Sequence, residues 1–186
     1  MTTNAHYFFA VPLPYEIKKW LYKQQKELQG QKNIAYHNWT AVEDFHITLS
    51  FLGPINEKAK DELIKSMEKV SLSNFELIIG DLGWFGLNSK PRVLWIDVKK
   101  SPSLLMLQKQ VSTIAKQNGF KQESRAYFPH ITIAKKWRTG TIEEKQLEEL
   151  QTVMSEQKTV KVDHFVLYKI NLDLIPRYQI VSEFKL

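Results

Sequence analysis

The sequence predicts an α+β protein made of two similar lobes within one domain, and three observations lead there. Short apolar strands alternate with amphipathic helical stretches along all 186 residues. One pattern occurs twice, as His46-Ile47-Thr48-Leu49 and His130-Ile131-Thr132-Ile133, each time inside a run of branched and aromatic residues. No glycine/serine linker or low-complexity tract divides the halves, so residues 1–186 are expected to form a single domain of two lobes, each holding one repeated strand.

The first strand is read at His6–Leu13, aromatic-rich and ended by prolines. A helix follows from about Tyr15 to Leu28, with Ile17, Trp20, Leu21 and Leu28 on one stripe and Gly30 beyond its end. A polar loop leads to the strand Phe45–Leu52, closed by Gly53-Pro54. Asn56 can accept a hydrogen bond from the first turn of a helix running to about Val70, whose apolar face is Leu63, Ile64 and Met67. Phe75–Leu82 and Arg92–Val98 read as strands joined by a loop containing Gly83, Gly86, Asn88 and Pro91. Ser101-Pro102 is an N-cap with proline at the first helical position, and Gly119 stops that helix after Leu104, Leu107, Val111, Ile114 and Ala115. Phe128–Ala134 is the second repeated strand. Thr141 and Glu144 form a capping-box pattern for a helix to about Glu156, and strands Val160–Asn171 and Arg177–Lys185 finish the chain.

Composition narrows the function classes. An apolar fraction of 43% and an aromatic fraction of 12% allow a true core. The chain has no cysteine, which excludes disulfides, iron–sulfur clusters and thiolate zinc sites and accords with a reducing cytosol. The apolar run Tyr7–Leu13 is short, lacks a basic leader and is broken by Pro12, so it does not read as a signal peptide. No stretch approaches the ~20 apolar residues that span a bilayer, and a soluble cytoplasmic protein without membrane contact, a monomer, is expected. The formal charge of +6 favours an anionic partner such as nucleic acid. Many charges, however, fall on helix faces such as Glu57–Lys69, where solvation alone would put them, so charge supports a functional reading without generating one.

The repeated pattern carries the chemistry. Because side chains alternate along a strand, His46, Thr48 and Ser50 should face one side while Ile47, Leu49 and Phe51 face the core. His130 and Thr132 should likewise share a face opposite Ile131 and Ile133. A neutral imidazole accepts a proton and an imidazolium donates one, and both forms exist near neutral pH. Two such groups across a cleft suit a reaction in which an attacking oxygen loses a proton and a leaving oxygen gains one. Threonine hydroxyls two residues on can hydrogen-bond the oxygens of a phosphate between them. One His-x-Thr in a strand is most often a satisfied structural histidine; two copies on matching strands point to a phosphodiester site.

With these motifs in view, the chain resembles the 2H phosphoesterase superfamily, named for paired His-x-Thr-x motifs, and within it the RNA 2′,3′-cyclic phosphodiesterase branch, also called LigT-like or 2′–5′ RNA ligases. The resemblance covers nearly the whole chain: Tyr7–Pro14, Phe45–Gly53, Arg92–Trp95, Phe128–Ala134 and Phe165–Tyr168. It implies two pseudo-symmetric lobes, each an antiparallel sheet backed by helices, with the site in the cleft between. It implies that His46 protonates the leaving 3′-oxygen, His130 activates water, and Thr48 and Thr132 hold phosphate oxygens, with no metal or other cofactor. The partner would be RNA, or a nucleotide, ending in a cyclic phosphate. One departure is visible: where family members often carry arginine two residues beyond the second motif, this chain has Lys135, which keeps the charge and loses the bidentate fork. Two rival readings stay open, a phosphodiesterase for another cyclic or 2′–5′ phosphodiester, and an RNA-end-binding module without turnover. Ligation, the reverse reaction, would be minor in water.

His6, His37 and His164 lack threonine two residues on and read as structural, and no histidine spacing suggests a zinc site. Phe8, Phe9, Trp39, Tyr127, Phe128 and Tyr168 are candidates for stacking a base, against a core role that strand aromatics more often have. Arg92, Arg125, Lys135 and Lys136 are candidate phosphate contacts. Gly83–Gly86 lacks the lysine and helix start of a phosphate-binding loop.

Overall fold

The computed structural model describes residues 5–121, 123–138 and 140–186. Its strands are β1 (His6–Pro12), β2 (Tyr36–Trp39), β3 (His46–Pro54), β4 (Phe75–Leu87), β5 (Lys90–Val98), β6 (His130–Trp137), β7 (Lys158–Val162), β8 (His164–Ile170) and β9 (Tyr178–Lys185). Its helices are α1 (Tyr15–Gln29), α2 (Glu57–Met67), α3 (Pro102–Gln117) and α4 (Glu144–Val153). Two antiparallel sheets form: a four-stranded one in the order β3-β1-β8-β9 and a five-stranded one in the order β2-β6-β5-β4-β7. Each sheet therefore holds one of the repeated strands, β3 or β6, as the sequence pattern predicts.

The helices back the sheets through the apolar stripes read in the sequence. Leu104, Leu107, Val111 and Ala115 of α3 are fully buried, and α3 packs on α2 and against β3. Each such side chain withdrawn from water contributes roughly 1.5–3 kcal/mol for the larger residues. Both predicted caps are made: the Asn56 side chain accepts from Ala59 N at 2.9 Å and the Ser101 side chain from Leu104 N at 3.2 Å. On the other sheet, buried Gln25 of α1 donates to the carbonyls of Thr40 and Ile133, at 2.8 and 3.0 Å. That pair of bonds ties α1 to the back of β6.

Four local expectations change. Gly83 and Gly86 lie inside strand β4, which with β5 forms one long hairpin. The indole of Trp95 fills the place of a Gly83 side chain, since a Cβ there would sit 2.0 Å from its ring. Gly86, at φ 115°, marks a register shift where the Lys90 and Arg92 backbones approach within 2.9 Å of a would-be Cβ. The stretch read as one strand from Val160 breaks at Asp163: β7 pairs with β4 in one sheet, and β8 pairs with β1 and β9 in the other. Burial continues through both pieces, so hydrophobicity alone does not reveal the change of sheet. The polar loop after α1 holds β2 and a 3₁₀ turn at Val42–Asp44. Finally, Thr141 does not cap α4. The helix begins after Glu143 without a side-chain cap, because buried Ile142 is drawn onto the β4–β5 turn by a hydrogen bond from its N–H to Ser89 O at 3.1 Å.

Candidate active site

The two motif histidines repeat one local geometry. His46 Nδ1 bonds the main-chain carbonyl of Asp44 at 2.7 Å, and His130 Nδ1 bonds the carbonyl of Phe128 at 2.8 Å, two residues upstream in each case. A carbonyl only accepts, so Nδ1 carries the hydrogen in both rings. Nε2 is then the nitrogen that can exchange a proton with a ligand. In His46 that nitrogen lies 3.1 Å from the Thr48 hydroxyl, which can donate to it.

Aromatic rings box in each imidazole. Around His46 stand Phe8, Tyr178 and Tyr168, with centroids at 4.9, 5.1 and 5.9 Å. Around His130 stand Phe85 at 5.1 Å, Phe128 at 6.2 Å and Trp95 at 6.3 Å. Burial in these boxes disfavours the imidazolium. It lowers His46 to about 4, with Lys135, His130 and Lys18 adding repulsion and the Asp44 carbonyl opposing. His130 is lowered by burial as well, opposed by its bond to Phe128. Both rings are therefore neutral at pH 7 in the free protein.

The structure brings the four sequence-derived residues together. Thr48, His130 and Thr132 line one cleft of about 1560 Å³, and His46 adjoins it through Thr48, whose hydroxyl lies 3.1 Å from its Nε2. The strands β3 and β6 pack against each other, and the Tyr127 hydroxyl, just ahead of β6, donates to Thr48 O at 3.0 Å. Lys135 lines the same cleft. Burial and the neighbouring Arg177 and Lys136 charges lower it, while Asp44 opposes them. Among the described residues no cluster of three or more His, Cys, Asp or Glu side chains is placed to hold a metal ion, and no helix is long and apolar enough to cross a membrane.

One facing expectation changes, at Phe51. A register irregularity of β3 against β1 pairs Phe9 with Ser50 and Ala10 with Thr48, leaving Leu49 as an extra residue. Ser50 is buried yet still lines the cleft, and Phe51, expected on the opposite face, is 43% exposed and lines it too. Of the candidate stacking residues, Phe9 is core, and Trp39 packs edge-on against Tyr36. Phe8 and Tyr168 belong to the His46 box, and Phe128 stands 41% exposed at the cleft. Sequence reasoning missed Asp44, Phe51, Phe85, Trp95 and Tyr178. Strand alternation would have found Trp95, three residues before Val98 on β5, once Gly83 is recognised as its cross-strand partner. Of the other histidines, His164 pairs with Asp163 at 2.5 Å, and the His6 ring stands 6.2 Å from that of Phe51.

Two antiparallel sheets, each carrying one of the two His-x-Thr strands, fit the architecture of a two-histidine phosphoesterase. The comparisons agree. The chain belongs to the 2′-5′ RNA ligase superfamily, whose family model matches residues 20–174. It is 32% identical over 185 residues to the RNA 2′,3′-cyclic phosphodiesterase of Bacillus subtilis, covering 98% of this chain and 97% of that one. It is also 32% identical over 185 residues to the protein of the same name from Geobacillus stearothermophilus, where 98% of this chain spans 58% of the relative's length. Among solved structures, LigT of E. coli complexed with 3′-AMP superposes with a TM-score of 0.78 at 24% identity, covering 98% of both chains. TT0787 of Thermus thermophilus gives 0.73 at 19% identity over 97% of each. At those identities the two structures speak for the fold.

Proposed function

We propose that this protein opens RNA 2′,3′-cyclic phosphate ends to 2′-phosphomonoesters by acid–base catalysis between His46 and His130. The observation that carries the reading is the matched commitment of both Nδ1 atoms to main-chain carbonyls, which leaves two Nε2 atoms for one substrate. Water attacks phosphorus as His130 Nε2 takes its proton. The new P–O bond forms, the P–O3′ bond breaks, and the 3′-oxygen leaves with a proton that His46 Nε2 takes up from solvent when the anion binds. Loss of the His130 proton to solvent restores the free protein, in which both rings are neutral. Thr48, Thr132 and Lys135 hold the non-bridging oxygens, where developing charge is stabilised. A bound anion offsets the repulsion of Lys135 on His46 and so raises its affinity for the proton it must donate. We place the protein in the cytoplasm, in keeping with a chain without cysteine, and as a monomer.

The test is product identification. Purified protein is incubated in EDTA with an oligoribonucleotide ending in a 2′,3′-cyclic phosphate, and the terminus is assigned by ³¹P NMR. Accumulation of a 2′-phosphate supports the proposal. A 3′-phosphate product, or tight binding without turnover, overturns it.

A further inference from the structure

The cleft is larger and more one-sided in charge than the chemistry requires. At about 1560 Å³ it exceeds the ~300–1,000 Å³ that holds a ligand of single-nucleotide size. Over the whole chain basic residues only modestly outnumber acidic ones, 26 to 20. Among the described residues lining the cleft, seven are Lys or Arg and one, Glu123, is acidic. The imbalance is local.

Part of that charge lies on α3, a different element from the strands that carry the histidines. The helix presents Gln108, Lys109, Ser112, Thr113 and Lys116 to the cleft, spaced so that they share one face, opposite the buried Leu104, Leu107, Val111 and Ala115. Gln108 is held in place by bonds to the Ser112 hydroxyl at 2.8 Å and Leu49 O at 3.4 Å, which fixes α3 alongside β3. Lys109 and Lys116 are exposed, and no ion pair is described for either. Within the same cleft the rings of Phe51 and Phe128 are 43% and 41% exposed. Cations tracking a backbone beside open aromatic rings are the pattern that binds single-stranded nucleic acid without base readout.

We infer that the α3 face, through Lys109 and Lys116, is a second binding site for the phosphodiester backbone of single-stranded RNA on the 5′ side of the cyclic end. The inference rests on the reaction proposed above and deepens it: the substrate is an RNA strand several nucleotides long, gripped beyond its terminal nucleotide. A cyclic mononucleotide reaches the histidines and leaves this face empty.

The experiment compares a cyclic-phosphate-ended RNA decamer with a 2′,3′-cyclic mononucleotide, using wild-type protein and the double variant Lys109→Gln/Lys116→Gln across a salt series. The wild type should show a lower KM for the decamer, rising steeply with salt. The double variant should raise the decamer KM at low salt by at least about fivefold and flatten its log–log salt slope by about 1.4, two contacts' worth. Its kcat on the decamer and its kinetics on the mononucleotide should be unchanged. Equal wild-type KM values for the two substrates, or a decamer KM indifferent to the double substitution, would overturn the α3 site while leaving the reaction standing. Failure of the wild type to hydrolyse either substrate would overturn both.

Discussion

Asp44 holds His46 through its main chain: its carbonyl takes the Nδ1 hydrogen at 2.7 Å. The same residue's buried carboxylate accepts the backbone N–H of Arg177 at 3.0 Å and that of Tyr178 at 3.1 Å. Tyr178 in turn meets the His46 ring edge-on at 5.1 Å. One residue thus sets both the orientation of the imidazole and one wall of its box.

Asp44→Asn should therefore keep the fold and lose alignment. An amide offers one accepting oxygen where the carboxylate offers two, and its NH₂ opposes the N–H groups it must face. The expected result is a kcat reduced on the order of tenfold, as small misplacements of a catalytic group produce, with KM nearly unchanged. Asp44→Ala should also lower stability, by about 2–3 kcal/mol for hydrogen bonds to a buried charge, read by urea unfolding.

His46→Ala and His130→Ala should each lower turnover by ~10²–10⁴ while cooperative thermal unfolding is retained. The double variant should be little worse than either single one, since the two groups serve one transition state. A wild-type rate in either single variant would falsify the catalytic assignment.

Stability should depend on pH through His46. Folding lowers it to about 4, whereas the unfolded chain binds that proton near ~6.5. Between these values the unfolded state carries the extra proton, so stability is complete above the upper one and falls as pH drops toward the lower. The half-buried ring accounts for a loss on the order of 3 kcal/mol across that window. His46→Gln, which cannot titrate, should flatten the melting temperature between pH 7 and pH 4.5 relative to wild type.

Catalytic pH profiles carry the same sign. With both imidazoles lowered in the free protein, the bell of kcat/KM should lie on the acid side of ~6.5, and the bell of kcat, measured with the anion bound, should lie at higher pH. Coincident bells would remove the anion from the account of His46.

Lys135 can be tested by charge alone. Lys135→Gln should raise KM by about 10- to 100-fold through loss of a charge-assisted contact. It should also move the kcat/KM bell to higher pH, because that cation pushes His46 down. Lys135→Arg should preserve the position of the bell.

The two His-x-Thr pairs were legible in the sequence because they are local. A histidine and a threonine two residues apart on a strand share a face whatever surrounds them, and Ile47, Leu49, Ile131 and Ile133 are buried as alternation requires. Features set by pairing were not legible. The extra residue at Leu49 that turns Phe51 outward is a property of the β1–β3 register, and nothing in the Thr48–Phe51 residues themselves announces it. Asp44 escaped notice because its partners lie more than 130 positions away in the chain. The four-residue β2 exists because β6 offers it an edge.

The placement of β8 between β1 and β9 has a consequence for synthesis on the ribosome. The N-terminal strand finds its second neighbour only in residues 164–170, so the smaller sheet cannot close until almost the entire chain has emerged. Until then His46 has neither Tyr168 nor Tyr178 beside it. A nascent chain, or a product truncated ahead of Asp163, therefore lacks two walls of the His46 box.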